Sequence, residues 1–247
     1  MSRSVPADSG GQALPLLRLL QIFDSQFPVG AFAHSGGVET YAALGGGLAD
    51  LRDILDAQIA LGWGRSELAA AHLAWRAAAR EKADRSLFSS IQSMQADTGK
   101  GDRSLFLLSR EVDALKVVPA VRNASIGLGR RTLELLRRLY PDAAVDVDPP
   151  HHAIVVGAAG RRLGIGVGEL LLAFAHSLAM GTLAAALRCM PVSPAQTQAL
   201  LVESHDAMVR AVDRALADPE ACLFTCTPAL DIRSHEQAFL RTRLFQS

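Results

Sequence analysis

Residues 170–187 read LLLAFAHSLAMGTLAAAL. The stretch holds no charged residue and is about as long as the shortest membrane-spanning helices. It also carries His176, Ser177, Gly181 and Thr182, with Glu169 immediately before it. A bilayer would hold a single span of that composition weakly. The stretch therefore reads as the buried core helix of a water-soluble, all-helical domain.

The flanks repeat the helical reading. After Pro191, Ser193 is placed to cap a helix, Pro194 to occupy its first turn and Gln196 to complete a capping box. Leu201, His205, Met208, Val212 and Leu216 then recur at helical spacing, and Asp218-Pro219 stops the run. Apolar residues make up 49% of the 247 and aromatics only 5%. A chain rich in alanine and leucine loses little side-chain freedom in helices and lacks the branched and aromatic residues that sheets favour. The expected fold is an all-α, single-domain multi-helix bundle.

Further helices are expected over Leu14–Asp24, with the stripe Leu16, Leu19, Leu20 and Phe23, and over the run carrying Leu51, Leu55 and Ile59, which ends at Gly62 and Gly64. Ser66 is expected to cap a third, with Leu68, Ala71 or His72, Trp75 and Ala79 inward. Leu87, Ile91 and Met94 suggest a short helix before a loop at Thr98–Asp102. Leu105, Leu108, Val112 and Leu115 form another stripe, closed by Pro119, and Leu128, Thr132, Leu135 and Leu139 one more before Pro141. Residues 141–150 read as a loop, and Ile154-Val155-Val156 as helix. Residues 1–13 read as a mobile arm, without the apolar region of a signal peptide, so the expected compartment is the cytoplasm.

Signatures of chemistry are scarce. Lys plus Arg and Asp plus Glu are 25 each, which leaves no overall footprint for nucleic acid. Thr98-Gly99-Lys100-Gly101 lacks both the leading glycine and the Ser or Thr of a phosphate loop. His151-His152 reads as a solvated loop or helix start, because adjacent side chains cannot share a helix face. Cys222 and Cys226 stand about one turn apart but need further ligands to hold zinc or nickel. His176 reads as a satisfied core histidine, and Asp113–Lys116 as an i,i+3 pair. No cofactor, metal ligand or catalytic residue is assigned. A metal-dependent hydrolase built on His34, His151, His152 or His176 is the alternative from another class, and a general helical interaction module is a further one.

The two ends are richer. Phe27, Phe32 and His34 stand among small residues around Pro28, Gly30, Gly36 and Gly37. The glycine pair permits unusual backbone angles or close approach of another backbone. The last fifteen residues set Phe239, Leu240, Leu244 and Phe245 among Arg233, His235, Glu236, Arg241 and Arg243. Apolar anchors ringed by arginine have the composition of a protein–protein hot spot, although such a tail can also fold back on its own domain.

Residues 16–39, LLRLLQIFDSQFPVGAFAHSGGVE, together with SREVDAL at 109–115, FAHSLAMGTLAAALRCMPVSP at 174–194 and the ending His235-Glu236 and Arg243-Leu244-Phe245-Gln246-Ser247, resemble the UreF family of urease accessory proteins. Gln246 stands where that family carries a further arginine. The resemblance implies a homodimer without catalysis of its own that bridges UreD (UreH) and the GTPase UreG, so that nickel reaches apo-urease at the expense of GTP hydrolysed by UreG. It implies a helical domain over 14–232 and a docking tail over 233–247. The residues it marks for partner binding are Phe32, His34, Ser35 and Gly36 in the opening turn, Arg110 and Glu111 in the centre, and His235, Glu236, Arg243, Leu244 and Phe245 at the end. Membrane and nucleic acid are not among the expected partners.

Overall fold

The computed structural model describes residues 9–30, 34–87 and 104–246. Phe32, Ile91, Met94, the Thr98–Asp102 loop and Ser247 lie outside the described residues, as does most of the expected arm. The described residues form an all-α bundle without strands: α1 (Ser9–Ile22), α2 (Val38–Ala43), α3 (Leu48–Leu61), α4 (Ser66–Leu87), α5 (Leu105–Leu115), α6 (Pro119–Leu139), α7 (His152–Arg162), α8 (Val167–Cys189), α9 (Pro194–Ala217), α10 (Pro219–Cys222) and α11 (Pro228–Glu236).

Helix α4 is the axle. Leu68, Ala69, Ala70, Ala71 and Ala74 are all fully buried, so over these turns the helix is covered all round rather than along one stripe. Small residues let its neighbours come close. A Cβ added to Gly157 of α7 would stand 2.1 Å from the Ala71 carbonyl oxygen, so glycine is what allows α7 to lie against α4. Helix α8 packs on α9, α2 and α4 through Leu170, Leu171, Phe174, Ala179 and Leu183. It is long and apolar enough, by length and composition alone, to cross a membrane, but half of its most apolar window is buried inside the bundle. Burying a side chain of Phe174's size contributes about 1.5–3 kcal/mol.

Several local expectations hold. Ser193 Oγ accepts from Gln196 N while the Gln196 side chain accepts from Ser193 N, closing the capping box on α9. Residues 154–156 are helical, and the expected loop over 141–150 is a loop except for a 3-10 turn at Pro141–Ala143.

Others are corrected by packing. Helix α1 starts at Ser9 and buries only Leu19 of its expected stripe, while Leu14, Leu16, Leu17 and Leu20 are exposed. Its inner side meets the core through Phe23, whose ring lies 5.9 Å from that of Phe174. Helix α2, too short to show a period, was not expected. Pro119 opens α6 rather than closing α5. The buried face of α6 is Ser125, Gly129, Thr132, Leu133 and Leu136, rotated from the expected stripe, because α7 and the Pro150 backbone press on its glycine side. On α9, Ser204 takes the inward place expected of His205. Ser66 donates its hydroxyl to the Gly62 carbonyl, 3.3 Å away, instead of capping α4. His176 is exposed on α8 and is no core histidine.

Candidate functional site: the clasp between the opening turn and the tail

The opening turn and the C-terminal segment, separated by some two hundred positions, meet. Between Phe27 and Gly30 the chain turns, and Arg131 of α6 holds the turn by donating to the Val29 carbonyl at 3.0 Å. Gly36 and Gly37 follow with φ of 57° and 93°. A Cβ at Gly37 would stand 2.9 Å from Ser234 Oγ and 3.1 Å from Ser234 N. Both readings of the glycine pair therefore apply at Gly37: a left-handed backbone, and close approach by α11.

Three polar side chains then lock the two ends. Ser35, Glu39 and Gln237 are 4%, 6% and 2% exposed. Ser35 Oγ donates to Gln237 Oε1 at 2.9 Å, and Gln237 Nε2 donates to Glu39 Oε2 at 2.8 Å. The other carboxylate oxygen, Glu39 Oε1, accepts the backbone N–H of Leu244. Thr40 Oγ1 adds a bond to the Arg233 carbonyl at 2.8 Å. Each buried polar group thus has a partner, which is what keeps such a network from destabilising the fold.

This clasp decides which tail side chains face out. Phe245 is 4% exposed, with the Arg188 guanidinium 4.4 Å from its ring centre. Leu244, gripped by its backbone, is 59% exposed, and Phe239 is 78% exposed beside His235. Arg241 and Arg243 are exposed, and Glu236 is half-buried in an ion pair with Arg233. The alternatives of docking and folding back are divided within the tail: Phe245 folds back, while Phe239 and Leu244 remain available. The expected boundary at 233 falls inside α11.

His34 stays beside the clasp, lining one groove with His235, while the remaining candidates are dispersed. His34 is half-buried, and burial followed by the Arg131 charge holds it below the usual imidazole range. Arg110 is exposed on α5, 5.3 Å over the Phe106 ring, and Glu111 is half-buried next to it. Helix α5 packs on α4 and α7, and Val112 and Leu115 on its last turns line a cavity together with Gly36, Leu230 and Ser234 of the clasp region. Lys116 does not pair with Asp113. It binds Glu67 of α4, the two side chains being 11% and 13% exposed. Burial pushes the Glu67 carboxyl up, but the Lys116 ammonium and the neighbouring imidazoles more than offset this and leave it below its usual range.

Asp113 instead meets His151, which stands at the N-cap of α7 and with His152 forms the expected helix start, but is fully buried rather than solvated. His151 lies 3.1 Å from Ser125 Oγ and 3.2 Å from Asp113 Oδ1, an arrangement that resembles a hydrolytic relay. Ser125 is only 7% exposed in the middle of a helix, so the relay ties α5, α6 and the start of α7 rather than presenting a nucleophile. Burial depresses His151 and pushes His152 down to about 4. The four histidines of the hydrolase alternative sit in three separate places: His34 by Arg131, the 151–152 pair in this tie, and His176 near His205. Cys222 is buried and donates to the Arg214 carbonyl, whereas Cys226 is exposed. Among the described residues no three His, Cys, Asp or Glu side chains gather as metal ligands.

Ser35, Glu39 and Gln237 are the residues whose role in the clasp sequence reasoning missed; Ser35 was marked only through the family resemblance. Glu39 and Gln237 are polar residues 198 positions apart, and no local pattern marks them.

Comparison with known proteins comes to rest on one group. The family model for UreF matches residues 47–205, the helical frame between the two halves of the clasp. Proteins named urease accessory protein UreF align along nearly the whole chain. That of Nostoc sp. is 26% identical over 237 residues, covering 94% of this chain and 95% of its own. That of Haemophilus influenzae is 26% identical over 240 residues, with 93% and 94% covered. That of Rhodopseudomonas palustris is 28% identical over 239 residues, with 96% and 94% covered.

Proposed function

The chain belongs to the UreF family, and from that premise we propose that it is a non-catalytic accessory protein of urease maturation, acting in the cytoplasm by docking other proteins. The observation that carries this reading is the clasp, which fixes the backbone at Leu244 while leaving the side chains of Leu244 and Phe239 in solvent. Large apolar side chains on a pre-ordered backbone bind with less entropy to lose than a loose tail would.

In this reading the clasp face, with His34 and Gly36 on one side and His235, Glu236, Arg243 and Leu244 on the other, receives the UreD (UreH) component, and the buried Ser35 and Phe245 hold that face in place. Phe32 belongs to the same stretch of chain. Arg110 and Glu111 on α5 serve a second contact, with the GTPase UreG. The exposed leucines of α1 offer a surface for a second copy of the chain. The bridged assembly brings the GTP-dependent nickel carrier to apo-urease, with nickel as its cargo.

The experiment is co-expression of the full chain with its UreD and UreG counterparts and apo-urease. Loss of nickel in urease when this gene is deleted, restored by the wild-type chain, supports the role. Normal urease nickel content in the deletion strain contradicts it.

A further inference from the structure

A groove of about 470 Å³ runs between α6 and the C-terminal segment. One wall is a single face of α6: Ala120, Asn123, Ala124, Gly127 and Arg131. From Pro119 to Arg131 that face extends about 18 Å at the helical rise per residue. His34 and His235 stand on the opposite side. Among the described residues that line it there is no carboxylate.

The charge around the groove is one-sided. Arg131 stands in the lining with His34 and His235, and the exposed Arg243 lies on the adjoining tail, whereas Arg122 turns away to Asp113 and Arg233 is paired with Glu236. Gly127 keeps the floor of the groove low: an added Cβ would meet nothing among the described residues within 4 Å, so a larger side chain there would project into the groove.

We infer that this groove is the seat of an acidic segment of a protein partner, laid along α6 with a carboxylate reaching Arg131. The inference rests on the docking role proposed above and specifies the chemistry that the clasp face recognises. A peptide fits better than a phosphate backbone. Nucleic acid is held by rows of exposed cations, whereas the centre of this furrow is the small apolar surface of Ala120, Ala124 and Gly127, against which peptide backbone and Cβ atoms pack.

The test uses the full chain co-expressed with its UreD and UreG counterparts. A photo-crosslinking residue replaces the exposed Asn123, and the partner peptide is mapped by mass spectrometry. The expected product joins Asn123 to a partner segment rich in Asp and Glu. Gly127→Leu should fill the groove, weaken the complex at least tenfold and melt at or above the wild-type temperature. Crosslinks confined to the chain itself, to a segment without excess acid or to nucleic acid overturn the inference, as does wild-type affinity of Gly127→Leu. If Phe239→Ala/Leu244→Ala abolishes the complex while Gly127→Leu binds normally, the groove is wrong and the docking face stands. If all of these variants bind normally, the docking face falls too.

Discussion

The carboxylate of Glu39 holds the backbone N–H of Leu244, so the second helix of the chain fixes the position of a residue three from its end. With its other oxygen the same carboxylate takes the Gln237 amide, and Gln237 in turn takes Ser35. Each of these groups is withdrawn from water, and removing the charge at the centre leaves two donors without an acceptor.

Glu39→Ala is therefore expected to destabilise the protein by about 1.5–3 kcal/mol, the range for hydrogen bonds to a charged group. The loss should be concentrated in the tail. Urea unfolding gives the global figure, and hydrogen exchange at the Leu244 amide should accelerate by more than the global loss alone explains.

Gly37→Ala tests the close approach of α11. Its φ of 93° strains an L residue, and the new Cβ would press on Ser234. A cost of about 1–3 kcal/mol is expected for the backbone strain alone. Limited proteolysis should cut before α11 sooner than in the wild type, whereas Gly127→Ala should show neither effect.

The Glu67–Lys116 pair predicts a non-additive result. Lys116→Met leaves a buried carboxylate without its partner, and a loss of about 3–5 kcal/mol is expected. Glu67→Met/Lys116→Met removes both charges together and should recover most of that loss in chemical unfolding.

Acid sensitivity has a definite sign. His152 is depressed to about 4 from an ordinary 6.5, so the unfolded chain binds a proton in that interval that the native chain refuses. The stability of the neutral form is complete above about pH 6.5 and falls progressively as the pH drops toward 4. Below the ordinary carboxylate range, protonation of Glu67, whose native value is lowered, acts in the same direction. Unfolding free energies at pH 7, 5.5 and 4.5 should decline, and His152→Gln should flatten the slope between 6.5 and 4.5.

The helical frame was legible because its signals are local. The Ser193–Gln196 box and the apolar stretch at 170–187 depend on residues within a few turns of one another. Where helices touch on several sides, periodicity lost its meaning. Helix α4 is buried all round between Leu68 and Ala74 and has no stripe to find there, and α6 turned its face because neighbouring backbone needed room at Gly129. Charges were read with their sequence neighbours, so Lys116 was assigned to Asp113, while the fold paired it with Glu67, 49 positions away. At the clasp, the ends were recognisable by composition, but the split between a buried Phe245 and an exposed Leu244 depends on Glu39 and Arg188, which no linear pattern connects to the tail.

The central claim is that Phe239 and Leu244 are held outward to bind a protein. Because both side chains are exposed, Phe239→Ala/Leu244→Ala should leave the melting temperature and helical content unchanged. Isothermal titration of the purified variant with the UreD counterpart is the direct measurement. The account predicts a loss of affinity of at least a hundredfold, about 2.7 kcal/mol. Wild-type affinity in a variant that is folded as well as the wild type would contradict it.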